Sequence, residues 1–96
     1  MAPADRMFTV PGKGDAGAAY FLAIVGSDRR PLEVRFSTGS ENLHAFGETA
    51  LKGVRYPVEF PADLPVRLVL GIGLTCDAQR ICRGIVDYPR RVELPK

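Results

Sequence analysis

"VRLVLGIGLTCDAQRICRGIVDY", residues 66–88, contains both cysteines of the chain, and five mostly polar residues separate them. Apolar residues occupy alternate positions in its first half: Val66, Leu68, Leu70, Ile72 and Leu74. This alternation is typical of a β-strand with one buried face. Residues 81–88 predict a second strand, so the stretch predicts a β-hairpin at the centre of the core.

The register of this hairpin can be tested against the apolar pattern. If Cys76 lies opposite Cys82, three further pairs follow: Leu74 with Gly84, Ile72 with Val86, and Leu70 with Tyr88. All of these residues share one face, so register and pattern agree. We therefore predict a cross-strand disulfide between Cys76 and Cys82, provided that the pair is closely spaced and not hydrogen-bonded.

Other roles for the two cysteines fit the sequence less well. A metal site needs further Cys or His ligands, and the single His44 lies in a different segment. A thioredoxin-type site has two residues between its cysteines, whereas this chain has five. Two free cysteines remain the main alternative. A disulfide would place the domain in an oxidising compartment such as the periplasm.

Length and composition indicate one globular domain, residues 1–96, with a single modest core. The net charge of +2 is too small to predict a nucleic-acid partner. The longest apolar stretch, residues 16–26, is shorter than a membrane span and has no basic region before it. Residues 1–3 look like an added start codon on a truncated mature domain, and the first five residues are left out of the fold prediction.

The rest of the chain predicts short strands separated by Gly- and Pro-containing turns. These strands cover Arg6–Val10, Tyr20–Val25, Leu32–Phe36, Leu43–Leu51, Tyr56–Phe60 and Arg91–Leu94. A flexible loop is expected over residues 11–15, and an internal proline confines Tyr56–Phe60 to a sheet edge or a bulge. Leu43–Leu51 is ambiguous: a strand with Gly47 at a bulge is favoured, and a helical turn is the alternative. The predicted fold is all-β, a small antiparallel β-sandwich of about seven or eight short strands, with a partly open barrel as the alternative.

The sequence contains no recognisable catalytic or cofactor-binding pattern, so we expect no enzyme, no cofactor and no metal. His44 is expected to be a surface or half-buried residue, and "GKGDAG" at 12–17 lacks the Lys-Ser/Thr ending of a phosphate loop. Some apolar residues are left unburied by the alternation and form a candidate partner-binding set: Phe46, Leu51, Val69 and Ile85. Ordinary packing against a second sheet is the alternative for each. Gly71 and Gly73 predict a shallow depression on the face opposite the core.

The stretch from Tyr56 to Leu94 resembles the C-terminal half of the YscW/YbaY family of small outer-membrane lipoproteins, which includes pilotins of type III secretion. "YPVEF" at 56–60 places a proline and an acidic residue before phenylalanine, and the long apolar strand at 66–75 follows. The hairpin partner then ends in Tyr88-Pro89 and a late Val92. The resemblance covers about 40 of the 96 residues.

This resemblance implies a β-sandwich with a signal peptide and a lipidated cysteine upstream of the sequence given. It also implies a pilotin, chaperone-like role at the periplasmic face of the outer membrane. The partner would be a type III secretion secretin, bound through its C-terminal segment, with no nucleic acid involved. A different function is left open by the residues themselves: a periplasmic or secreted proteinaceous inhibitor of a hydrolase, with residues 77–81 as the inserting loop.

Overall fold

The computed structural model describes residues 7–26, 28–56, 67–86 and 91–93. Its elements follow in chain order: β1 (Met7–Lys13), β2 (Gly17–Val25), β3 (Pro31–Gly39), a 3-10 turn (Glu41–Leu43), α1 (His44–Lys52), β4 (Arg67–Cys76), β5 (Ile81–Val86) and β6 (Arg91–Glu93). The strands form one antiparallel sheet in the order β1-β5-β4-β2-β3. Strand β6 pairs with the first residues of β4, on the same side of β4 as β5. The other side of β4 pairs with β2.

The β-rich prediction is confirmed, but the sandwich of seven or eight strands is wrong. Over the described residues there is one sheet, and helix α1 packs on its core face, where a sandwich would have a second sheet. The helix contacts β3, β2 and β1, so it reaches both outer strands of the sheet. A short helix thus covers one face of the sheet, which explains how a small chain obtains a core with so few strands.

The strand predicted over Leu43–Leu51 is wrong, because this segment is the 3-10 turn and helix α1. Leu43, Gly47 and Leu51 are all buried against the sheet, and they are spaced by four residues. This spacing fits one face of a helix, but residues four apart also share one face of a strand. Position 47 requires a glycine because the ring of Phe21 packs directly on it. The predicted β-bulge is not the reason.

The predicted hairpin register is confirmed in the part that the structure describes. Cys76 lies opposite Cys82, with Leu74 opposite Gly84 and Ile72 opposite Val86. The two cysteines form a disulfide with 4.1 Å between their Cα atoms. The pair is of the narrow, non-hydrogen-bonded type, since the bond from Asp77 N to Ile81 O, at 3.1 Å, falls on the next pair. Tyr88 and its predicted pairing with Leu70 lie outside the described residues.

The turn between these strands is fixed by hydrogen bonds. Arg80 N donates to Asp77 O at 2.9 Å, and the Asp77 carboxylate accepts bonds from the N–H groups of Gln79 and Ile81. Arg80 has φ 67, in the left-handed position that commonly completes a three-residue hairpin loop. The disulfide and these bonds hold both ends of the loop, so residues 77–81 form a rigid projection.

Strand boundaries elsewhere differ from prediction by a few residues. Strand β1 continues through Pro11 to Lys13, so the loop expected over residues 11–15 was placed too early. The pairing of β1 with β5 is irregular between Thr9 and Lys13, which accommodates a proline in an outer strand. Beyond Tyr56, the strand predicted over 56–60 lies outside the described residues, as does the end of the strand predicted over 91–94.

Tyr56 ties the far side of the core together. Its side chain is fully buried, its hydroxyl donates to Leu51 O at 2.8 Å, and its ring packs edge-on against Phe8 of β1. Its backbone N–H donates to Arg29 O at 2.9 Å, in the turn between β2 and β3. Burial raises the pKa of Tyr56 far above its ordinary value, so the hydroxyl stays protonated and keeps its role as donor. One residue therefore links α1, β1 and the β2–β3 turn.

We predict that Gly47→Ala destabilises the domain, although alanine is the better helix former. A Cβ at Gly47 would collide with the Phe21 ring, with Cε1 and Cε2 both only 2.7 Å away. Overpacking of this kind costs about 2 kcal/mol, which outweighs the helix-propensity gain of about 1 kcal/mol. The free energy of unfolding in urea measures the net loss.

Gly53→Ala is the matched control, because φ at Gly53 is −90° and an added Cβ would meet only Ala50 O, at 3.6 Å. This variant should unfold within about 0.5 kcal/mol of the wild type. If Gly47→Ala were as stable as Gly53→Ala, the close packing of α1 on Phe21 would be contradicted.

Candidate functional site

An apolar groove runs between α1 and β1, and we call it the β1–α1 groove. Its walls are Pro11, Gly12, Ala45, Phe46, Thr49 and Ala50. It has a volume of about 550 Å³ and is broadly open to solvent. Phe46 and Ala50 are four residues apart on the helix and therefore project towards the same side. The groove offers a small apolar surface that a side chain of a partner could contact.

Phe46 lines the groove and lies against two glycines: Gly12, within the irregular part of β1, and Gly14, just after the strand. A Cβ added at Gly12 would lie 3.1 Å from Cε1 of this ring. One added at Gly14 would lie 2.7 Å from Cε2 of Phe46 and 3.0 Å from Sγ of Cys76. The ring and the disulfide thus both pack on Gly14. The disulfide of the β4–β5 hairpin therefore lies close to the Phe46 side of the groove.

We call residues 77–81, the turn closed by the Cys76–Cys82 disulfide, the clasped turn. Charged residues lie next to the β1–α1 groove on the side of this turn. Lys13 follows Gly12 at the end of β1, is exposed, and pairs in the sheet with Ile81. Arg80 Nη2 lies 4.0 Å from Asp15 Oδ1, which links the loop after β1 to the clasped turn. Both members of this pair are well exposed, so it contributes little stability. These charges give the apolar groove a polar rim, as protein-binding sites commonly have.

The opposite side of α1 holds a cluster of charged and aromatic groups against β3. His44 Nδ1 lies 3.1 Å from Glu41 Oε1, and its Nε2 lies 3.2 Å from Glu48 Oε2. The same Glu48 oxygen accepts a bond from Phe36 N at 2.9 Å, and the His44 ring stacks on the Phe36 ring, with 4.6 Å between centroids. Since β3 is an outer strand, Glu48 covers a backbone donor at its edge.

The cluster shifts the pKa values of its members. The hydrogen bond with Glu41 is the main cause that raises the pKa of His44, and the charges of Glu48 and Glu41 add to it. The bond from the Phe36 N–H is the main cause that lowers the pKa of Glu48, assisted by the charge of His44. Both ring nitrogens of His44 are therefore engaged with carboxylates, and this arrangement fastens α1 to β3. His44 is half-buried, as expected from the sequence.

The face of the sheet opposite α1 carries two of the predicted partner-binding residues. Val69 pairs with Ile24 and Ile85 pairs with Gly73, and both Val69 and Ile85 are half-buried. A Cβ added at Gly73 would find only Ile85 O within 4 Å, at 3.9 Å, so there is open space above this glycine. The depression predicted at Gly73 is therefore present, on a face separate from the β1–α1 groove.

The four predicted partner-binding residues do not form one site. Phe46 lies in the β1–α1 groove, while Val69 and Ile85 lie on the other side of the sheet. Leu51 is fully buried in the core, so its assignment to a binding surface is corrected. The groove residues Ala45, Thr49 and Ala50 were missed, because a segment interpreted as a strand hides their helical spacing with Phe46.

In the parts of the chain that the structure describes, no group of three or more His, Cys, Asp or Glu side chains is arranged to hold a metal ion. Every buried side-chain nitrogen or oxygen in those parts has a hydrogen-bond partner. Among the described helices, none has the length and apolar character needed to cross a bilayer.

The chain matches no protein-family model, and searches of curated proteins and of solved structures return no match. The fold and the disulfide define a small, clasped, β-rich domain with an apolar groove. The resemblance to the YscW/YbaY family stays a prediction.

We predict that the His44 cluster makes stability depend on pH in a defined way. The raised pKa of His44 stabilises the fold fully below its unfolded value of 6.5, and this contribution is lost as pH rises through the folded value. The lowered pKa of Glu48 stabilises above its unfolded value of 4.5, and this is lost as pH falls through the folded value. The cluster therefore stabilises the fold most between pH 4.5 and pH 6.5, the unfolded pKa values of Glu48 and His44.

Urea unfolding at about pH 5.5 and about pH 8.5 tests this dependence. The wild type should lose stability at the higher pH, and His44→Gln should remove that part of the loss. Lys52→Gln is the control, because it removes another exposed cation of α1 and leaves His44 in place. Equal pH dependence in the wild type and in His44→Gln would contradict the proposed stabilisation by the His44 cluster.

Proposed function

We propose that this chain is a non-catalytic protein-binding domain of pilotin type, which assists a type III secretion secretin subunit in reaching and assembling in the outer membrane. The observation that carries the proposal is the β1–α1 groove, whose wall includes Phe46. The groove fits a role in equilibrium binding because it offers apolar contact area beside a polar rim. The resemblance of residues 56–94 to the YscW/YbaY family supplies the class of partner, the C-terminal segment of a secretin.

The backbone at the groove favours binding through side chains over addition of a strand. Pro11 has no N–H to donate, and Gly12 has φ 96, which is outside the extended region that a sheet edge requires. A partner segment would therefore gain affinity by placing apolar side chains against Phe46 and Ala50. This mode of binding leaves the sheet edge at Pro11 protected from pairing with other chains.

The disulfide supports a role outside the reducing cytosol. Cys76 and Cys82 close a loop of about seven residues, which removes roughly 2.4 kcal/mol of unfolded-chain entropy in the loop-length account. Since Sγ of Cys76 packs on Gly14 beneath Phe46, the same bond also steadies the groove. A lipidated cysteine upstream would supply the membrane anchor, and contacts in the groove would supply the selectivity.

Binding of labelled peptides from secretin C-termini, measured by fluorescence anisotropy, tests this function. We predict that Ala45→Glu weakens binding at least tenfold, about 1.4 kcal/mol, because a carboxylate in an apolar contact loses its hydration. Ala45 is exposed on the helix, where glutamate is well tolerated.

Ala18→Glu is the matched control, since Ala18 is an exposed alanine of β2 that is not part of the groove. It should bind like the wild type. Equal weakening by both variants, or no binding of the wild type at about tens of micromolar, would count against the groove and the partner.

The clasped turn keeps the inhibitor of a hydrolase as a second candidate function. Residues 77–81 form a rigid projection that carries Ile81 with half of its surface exposed, 50%. Such preorganisation lowers the ordering cost of inserting a loop into an active-site cleft. Arg80→Ala separates the two functions: an inhibitor should lose affinity sharply, whereas peptide binding in the groove should hardly change.

A further inference from the structure

The turn between β2 and β3 is followed closely by an exposed leucine and contains two arginines. Arg29 N donates to Gly26 O at 2.9 Å, Gly26 N donates to Arg30 O at 3.2 Å, and Arg30 N donates to Asp28 Oδ1 at 3.1 Å. These bonds hold Arg29 and Arg30 close to Gly26 and Asp28. Leu32 follows two residues later and is 60% exposed, more than the other exposed large hydrophobic residues Met7, Leu22 and Ile81.

Tertiary structure brings a third arginine to this turn. The N–H of Tyr56 donates to Arg29 O at 2.9 Å, so the preceding Arg55 lies beside the tip. Arg30 and Arg55 are exposed and Arg29 is half-buried. None of the three forms an ion pair with a described residue. The acid of the turn, Asp28, already accepts the Arg30 N–H. We call Arg29, Arg30, Leu32 and Arg55 the arginine–leucine tip.

The combination of groups at the tip matches the chemistry of a lipid surface. Guanidinium groups bind phosphate through charge-assisted hydrogen bonds, and each basic residue near an anionic membrane adds to the attraction. An exposed leucine gains by entering the boundary between headgroups and acyl chains. Polyphosphates such as nucleic acids would use the arginines but not the leucine. A hairpin tip also lacks the concave walls that a small ligand needs.

We propose that the arginine–leucine tip docks this domain peripherally on membranes that contain anionic phospholipid. Leu32 enters the headgroup region, and Arg29, Arg30 and Arg55 contact lipid phosphates. This contact does not rest on the secretin-binding function, since the tip shares no residue with the β1–α1 groove. It sets the orientation of the domain on a membrane, with the β2–β3 turn towards the lipid.

A tryptophan reporter tests the contact directly, because the chain contains no tryptophan of its own. Leu32→Trp places a single fluorophore at the tip, and Ile81→Trp places one at the clasped turn, where the replaced side chain is also exposed. Vesicles of phosphatidylcholine with about 30% phosphatidylglycerol should shift the emission of Leu32→Trp to shorter wavelength. They should leave Ile81→Trp unchanged, and pure phosphatidylcholine should shift neither.

Charge variants test the same contact by vesicle co-sedimentation without a reporter. The double variant Arg30→Glu with Leu32→Ser should lose binding on the order of tenfold or more, since each basic residue contributes roughly fivefold. Arg83→Glu with Ile81→Ser changes an exposed arginine and an exposed isoleucine at the other end of the sheet, and it should bind like the wild type.

Three results would overturn the proposal. The first is equal loss of vesicle binding in both double variants, and the second is no binding of the wild type to anionic vesicles at low salt. The third is tight binding to an oligonucleotide that Leu32→Ser does not alter while vesicle binding is absent, which would identify a nucleic-acid contact. Peptide binding, measured in the same variants, reports separately on the proposed function, so a failure of one is distinguishable from a failure of the other.

Discussion

The pairing of β4 with β5, fixed by Cys76 opposite Cys82, is the constraint on which the rest of the structure depends. Because side chains alternate along a strand, this register decides which residues of both strands face the core. Strand β2 then aligns with β4 so that Phe21 lies opposite Ile72, and both are fully buried. A slip of one residue would turn the whole apolar series of β4 to the other face.

Helix α1 completes the core that this face begins, and its own packing creates the candidate site. Gly47 lets the helix approach Phe21 closely, which brings Phe46 against Gly12 and Gly14 at the end of β1. On the other side, Glu48 bonds to the backbone of Phe36, so the helix is held between the two outer strands. The β1–α1 groove is therefore a result of how closely the helix sits on the sheet, and the position of Phe46 is coupled to the disulfide through Gly14.

The two proposed contacts use different parts of the molecule and different physics. The groove would bind a protein segment through apolar contact on a preformed surface. The arginine–leucine tip would bind lipid through charge and one apolar side chain, which requires no complementary shape. Because the helix and the β2–β3 turn are joined through Tyr56, the groove and the tip hold a fixed relation to each other. With both proposed contacts, the domain would hold a partner while it rests on a membrane surface.

The sequence by itself determined the central hairpin, its register and its disulfide, because alternation and cysteine spacing are local and depend on neighbouring residues only. Tertiary structure decided whether Leu43–Leu51 forms a strand or a helix. Buried residues four apart fit both, and the packing of Phe21 on Gly47 favours the helix. The same holds for the groove and for Arg55 beside Arg29: they join residues far apart in the chain. Local patterns fix which face of an element is apolar, but only packing decides which distant elements meet across it.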